Sequence, residues 1–202
     1  LNNSEILGSS LNMPYFHIIS DNKDVTLKPT IFDSNIQMYQ AEYRQENLNS
    51  SFIADFNFVK GYKSTTLNKK SSLTHLFSKY DLDLKLKNYV NSFVSIFVEK
   101  LNNDTYLKVF DTNLFDIDKN IKPKSNSTLH SGIKLELDNN DFNFSAGMDL
   151  FEDLTIGKSN DKYEYILPYF NFSKNILTNQ AGIVDFSSSG SNKLSNTNNL
   201  RS

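Results

Sequence analysis

The chain has 202 residues, room for one large or two small domains, and is 38% hydrophobic, 22% charged and 13% aromatic, the aromatics all Phe and Tyr. A net charge of −2 offers no basic field to nucleic acid, and the lack of cysteine excludes a disulfide framework or a thiolate metal site. No run approaches the roughly 18 apolar residues of a membrane helix; this excludes a helical membrane protein but not a β-barrel, whose strands need only about 9–11 alternating residues.

The chain begins at Leu1 without the charged, apolar and small-residue succession of a signal peptide, so it is expected to start inside a longer protein. "PYFHIISDNKDVTLKPTIF", Pro14 to Phe32, reads as two strands joined by a polar turn, with one proline in each arm. With Asp21 and Asn22 as a two-residue turn, Ser20 faces Lys23, Ile18 faces Val25, Phe16 faces Leu27 and Pro14 faces Pro29. A four-residue turn shifts that register by two and keeps the faces. Proline has no N–H to give a ladder, so two at one level make a weak rung.

Period-2 alternation then continues almost to the end. "IQMYQAEYRQEN" is long for a soluble strand, and "SFIADFNF" sets Phe52, Ala54, Phe56 and Phe58 against Asp55 and Asn57. Tyr62 to Ser72 reads as a loop. "DLDLKLK" sets Leu82, Leu84 and Leu86 against charges that include Asp83 and Lys85. "FVSIFV" follows, then a second loop from Asp118 to Thr128. "GIKLEL" opposes Ile133, Leu135 and Leu137 to Lys134 and Glu136; "FNFSAGMDLFEDL" is again long, and "EYILPYFNF" alternates less cleanly. The tail from Ser187 to Ser202 reads as a polar loop. Asn- and Asp-rich clusters such as "SDNKD", "ENLNSS", "DNND" and "GKSNDK" make the connections hairpins. The expectation is an all-β antiparallel meander of roughly nine or ten strands, without a convincing helix and with no second domain in 1–202.

Length and alternation favour strands with one face on lipid over a soluble sandwich. Tyr15, Tyr62 and Tyr163, near strand ends, suit an interfacial girdle as well as ordinary strand composition. No catalytic, metal or cofactor motif emerges. His17, His75 and His130 stand in three separate segments, the seven glycines form no phosphate loop, and the serines lie in turns. Paired carboxylates such as Asp81 and Asp83 read as a solvated strand face.

"LNMPYFHIISDNKDVTLKPTIF" followed by "AEYRQENLNSSFIADFNF" resembles the lipopolysaccharide-assembly protein LptD family, over about Leu11 to Phe58. The carrying residues are Pro14-Tyr15-Phe16, Asn22 to Asp24, Thr26 to Pro29, Glu42-Tyr43-Arg44 and Asp55-Phe56; later segments follow the family order more loosely. The resemblance implies the first part of a transmembrane β-barrel of the cell outer membrane, without the family's periplasmic domain, later strands or cysteines. It implies transport of lipopolysaccharide to the outer leaflet through a lateral gate weakened by Pro14 and Pro29. Glu42, Arg44, Asp55, Asp83, Lys85, Lys134 and Glu136 would face the lumen. The implied partners are lipopolysaccharide, the plug lipoprotein LptE, the bridge protein LptA (through the absent domain) and outer-membrane lipids. No cofactor, nucleic acid or enzymatic step is implied. Another outer-membrane barrel, such as a porin, and a soluble carbohydrate-binding β-sandwich are the alternatives.

Overall fold

A computed structural model describes residues 2–4, 7–63, 70–110, 114, 117–157, 159–178 and 182–195. They form one antiparallel sheet. Its strands are β1 (Asn2–Ser4), β2 (Gly8–Asn12), β3 (Tyr15–Ser20), β4 (Lys23–Phe32), β5 (Gln37–Glu46), β6 (Ser50–Lys63), β7 (Lys70–Asp83), β8 (Asn91–Leu101), β9 (Thr128–Asp138), β10 (Phe142–Asp153), β11 (Tyr163–Thr178) and β12 (Gly182–Leu194). From β4 to β12 each strand pairs with its sequence neighbours. A single helical turn, α1 (Tyr106–Val109), lies between β8 and β9. Among the described residues no second sheet covers the first, and no helix is long and apolar enough to cross a membrane.

β2 and β3 are two halves of one strand, broken at Met13-Pro14, and both pair with β4. The turn at Asp21-Asn22 forms as expected, with Ser20 opposite Lys23, but the register beyond it does not. A bulge between Ile18 and Ser20 inserts one residue, so Ile18 faces Asp24, Phe16 faces Thr26 and Tyr15 faces Leu27. One extra residue turns every side chain over. Phe16 therefore lies on the face of Thr26, under the Arg44 guanidinium at 6.0 Å, and not beside Leu27. Pro29 faces Met13, whose N–H donates to the Pro29 carbonyl at 3.1 Å, and the two prolines are not opposite each other.

Other departures have local causes. β7 stops at Asp83: the Asp83 carboxylate accepts the Lys85 N–H at 2.9 Å, and Lys85 (φ +48°) and Asn88 (φ +71°) turn the chain. Leu84 still donates to the Ser92 carbonyl at 2.8 Å, and Lys85 sits in the turn that follows, not on a strand face. The parity break in "EYILPYFNF" is a bulge between Ile166 and Tyr169, at the cis Leu167-Pro168 bond. Tyr62, Lys63 and Lys70 to Ser72 are strand and not loop, while 64–69 lie outside the described residues. In the tail, Ser187 to Leu194 belong to β12, and 196–202 lie outside the described residues.

The two faces differ sharply. From β4 to β11 one face presents Leu27, Ile31, Tyr39, Phe56, Phe58, Leu76, Ile96, Ile133, Met148 and Phe170, each exposed. The opposite face carries Lys28, Gln40, Glu42, Asp55, Asn57 and His75, all buried, and continues through Lys134, Glu136, Asp149 and Asn171 to Ser187, Ser189 and Ser191. The sheet has its apolar face open and its polar face buried over β4 to β7, the reverse of a soluble layer.

Candidate functional site

The cover over part of the polar face is the segment 102–127, an excursion between β8 and β9 longer than the loop expected from Asp118 to Thr128. Asn103 opens it: its side-chain oxygen accepts the Thr105 N–H at 2.9 Å and the Thr105 hydroxyl at 2.7 Å, leading into α1. Tyr106, Leu107, Phe110, Leu114, Ile117 and Ile121 are all buried. They join Phe32, Met38, Val59, Leu73, Phe77 and Leu101 of the sheet in one apolar cluster, on the polar-face side and toward one end of the strands. Phe110 meets Phe32 edge-on at 6.5 Å and Tyr62 at 6.0 Å. Fully burying side chains of this size is worth roughly 1.5–3 kcal/mol each.

Below the cluster the contact is polar. The Tyr106 hydroxyl lies 2.8 Å from His75 Nδ1 and accepts from Asn57 Nδ2 at 2.7 Å. His75 Nε2 lies 2.5 Å from Asp55 Oδ1, and Gln40 Nε2 donates to Asp55 Oδ2 at 2.8 Å. One proton arrangement uses every contact: neutral His75 donates from Nε2 to Asp55 and accepts the Tyr106 proton at Nδ1, leaving the phenol oxygen to Asn57. Burial, and next the Asp55 charge, push the Tyr106 phenol far above its ordinary range, so it stays protonated and keeps donating. Register makes this possible: Asn57 stands opposite His75 and Asp55 opposite Phe77, so three alternate positions on two strands converge under one tyrosine.

The chain of polar contacts extends toward the other end. Arg44 bonds Asp24 at 2.8 Å and lies 3.8 Å from Glu42, and Lys28 lies 4.0 Å from Glu42. Among the described residues, Thr30 Oγ1, Glu42 Oε2 and Asn57 Oδ1 are buried without a hydrogen-bond partner. Lys134 pairs with Glu136 along β9.

Of the residues singled out from the sequence, Glu42, Arg44 and Asp55 meet in one strip, while Lys134 and Glu136 share the face farther along. Asp83 ends β7 on that face, its N–H donating to the Asn49 carbonyl. Pro14 is exposed at the β2–β3 break and Pro29 is half-buried in β4.

The sequence reading missed the partners of the histidines and the inserted segment. His75 and His130 each have an aspartate across the ladder, Asp55 and Asp149, the latter at 2.8 Å. Spacing within one strand does not reveal such pairs. No group of three or more His, Cys, Asp or Glu suited to a metal ion occurs among the described residues. For the segment a signal existed: apolar residues at 106, 107, 110, 114, 117 and 121 recur at helix-like intervals. No protein-family model matches the chain, and no curated protein matches its sequence.

Proposed function

We propose that this chain forms the leading part of an outer-membrane β-barrel of the LptD kind, which delivers lipopolysaccharide to the outer leaflet through its lumen and a lateral gate. The observation that carries the membrane part is the inverted sheet: an exposed apolar row from β4 to β11 over a polar reverse side that is buried from β4 to β7. In water such a row is a large uncovered patch; against hydrocarbon it is the stabilising surface. Strands of ten to sixteen residues from β4 onward have the reach to span the bilayer when tilted. On this reading Glu42, Arg44, Asp55, Lys134 and Glu136 line the lumen. The partners are lipopolysaccharide, the plug lipoprotein LptE, the bridge protein LptA and outer-membrane lipids.

The gate is supported by the first strand. Met13 directs its N–H to β4, so by alternation Pro14 directs its missing donor to the opposite, open edge. Pro29 lacks the donor that would return to Met13. One proline thus weakens the inner pairing, and the other weakens whatever strand closes on the edge. The test uses the protein at its natural length, with Pro14→Ala and Pro29→Ala combined. A clear fall in surface lipopolysaccharide at equal barrel levels supports the gate; unchanged delivery by a folded barrel sinks it.

A second reading, a channel-forming barrel such as a porin, is favoured by the segment 102–127, since an in-folded segment narrows a pore. Single-channel conductance that rises when the segment is shortened, with no lipopolysaccharide defect, would select it.

A further inference from the structure

Between the inserted segment and the polar faces of β7 to β10 lies a cleft of ≈ 540 Å³, within the size range of small-ligand sites. We infer that it binds a phosphorylated sugar. Its rim is cationic. Lys119, Lys122 and Lys124 line it from the segment, with Lys79 from β7. Ile121 and Pro123 are buried, which fixes the backbone that carries these lysines. Lys79 is paired to Asp81 at 2.7 Å, but among the described residues no carboxylate lies within ion-pair distance of Lys119, Lys122 or Lys124.

Lys124 shares the field of Glu99, yet four lysines against one carboxylate leave the lining with an excess of positive charge. The carboxylate in the lining, Glu99, is tied to the wall: its Oε2 accepts the His130 N–H at 2.8 Å. Several ammoniums facing one space suit a phosphate, whose oxygens accept from more than one donor at once.

The wall supplies the sugar part. His130 stacks on Phe151 at 4.3 Å and meets Phe97 edge-on at 4.7 Å, giving a continuous row of rings. Such rings offer apolar surface to the C–H faces of a pyranose, beside the hydroxyl of Thr128 suited to its polar edge. A lone inorganic phosphate would leave that row unused.

This inference rests on the transport reading only for the source of its ligand, the phosphorylated sugar end of a glycolipid; a free sugar phosphate offers the same chemistry. The test is calorimetric titration of the natural-length protein in detergent with three probes: an acyl-free bisphosphorylated glucosamine disaccharide, its dephosphorylated form, and glucose 6-phosphate. The bisphosphorylated disaccharide should bind at least about tenfold tighter than the dephosphorylated one. The combined variant Lys119→Gln, Lys122→Gln and Lys124→Gln should lose about tenfold or more in that affinity, with unchanged thermal unfolding, because these lysines hold no ion pair. Equal binding of the two disaccharides, or parental affinity in the triple variant, overturns the site. Glucose 6-phosphate binding as tightly as the bisphosphorylated disaccharide upholds the site and assigns it a soluble ligand. Loss of binding with normal surface lipopolysaccharide also upholds it while removing its link to transport.

Discussion

Met13 donates to the Pro29 carbonyl at 3.1 Å, and Pro29 has no proton to give back. The pair is half of a two-bond rung, and the absent half lies inside the first hairpin. Pro14, one residue on, directs its own missing donor the other way. The prolines act on two successive interfaces of the same strand and not on one level.

Replacing them separately should therefore give separable results. In Pro29→Ala the new N–H reaches the Met13 carbonyl and should exchange with solvent at least about tenfold more slowly than an open amide. In Pro14→Ala the new N–H points to the open edge, so its protection reports a closing strand. Fast exchange of the new amide in a folded Pro29→Ala protein would contradict the register described above.

Tyr106→Phe removes the donor to His75 and the acceptor for Asn57 while keeping the ring. The expected cost is about 1–3 kcal/mol for the stranded buried groups. Limited proteolysis within 102–127 should accelerate accordingly, whereas the sheet, read by far-ultraviolet circular dichroism, should hold. Cleavage at the parental rate would mean that the ring alone anchors the segment.

Asp55→Ala strips both His75 and Gln40 of their acceptor at the base of the same strip. Breaking a buried pair from one side costs roughly 3–5 kcal/mol. The temperature at which the protein loses its compact form on a denaturing gel should fall further than for Tyr106→Phe. An equal or smaller fall would place the weight of the network at the tyrosine.

On the exposed apolar face, Leu76→Arg should cost about 2–4 kcal/mol of folding into lipid vesicles if that face meets hydrocarbon near mid-depth. Ser189→Arg, on the opposite face of β12, should cost little. Equal yields for both variants would separate the apolar face from lipid.

Lys162, in the turn before β11, gives a pH signature. Burial works against its ammonium, but the hydrogen bond and charge of Glu152 at 2.6 Å, with Asp104 at 3.6 Å, outweigh burial and hold it above the ordinary lysine range. A raised pKa means the contribution is complete below the unfolded value, about 10.4, and is lost as pH climbs through the folded one. Stability should thus be insensitive to this group from neutral pH to about 10 and fall above it, and Lys162→Met should flatten that fall. An unaltered alkaline slope in the variant would rule the pair out as its cause.

Much of the sheet was legible because alternation is a local property. Phe52 to Phe58 and Ile133 to Leu137 fall on the faces that their spacing assigned. In the first hairpin a single inserted residue inverts everything beyond it. Ile19 carries no hydropathy mark of a bulge, whereas the one at Leu167-Pro168 showed as the broken alternation of "EYILPYFNF"; the Asp83 side chain ended β7 within an unbroken alternating run. β12 was hidden for another reason: one of its faces is serine along much of its length, so composition spoke for a loop where neighbouring backbone imposed a strand. The strip of Gln40, Asp55, Asn57 and His75 depends on register between strands, which no single segment contains.

The segment 102–127 also ties early strands to late ones. Its polar anchors lie 31 and 49 residues upstream, on strands β7 and β6, and its aromatic contacts reach back to Phe32. Downstream, Leu129 and Leu154 join the same apolar cluster, and the Leu154 N–H donates to the Ser127 carbonyl. It is thus a clasp between the first strands and the later ones, and loosening it uncovers apolar side chains of both at once.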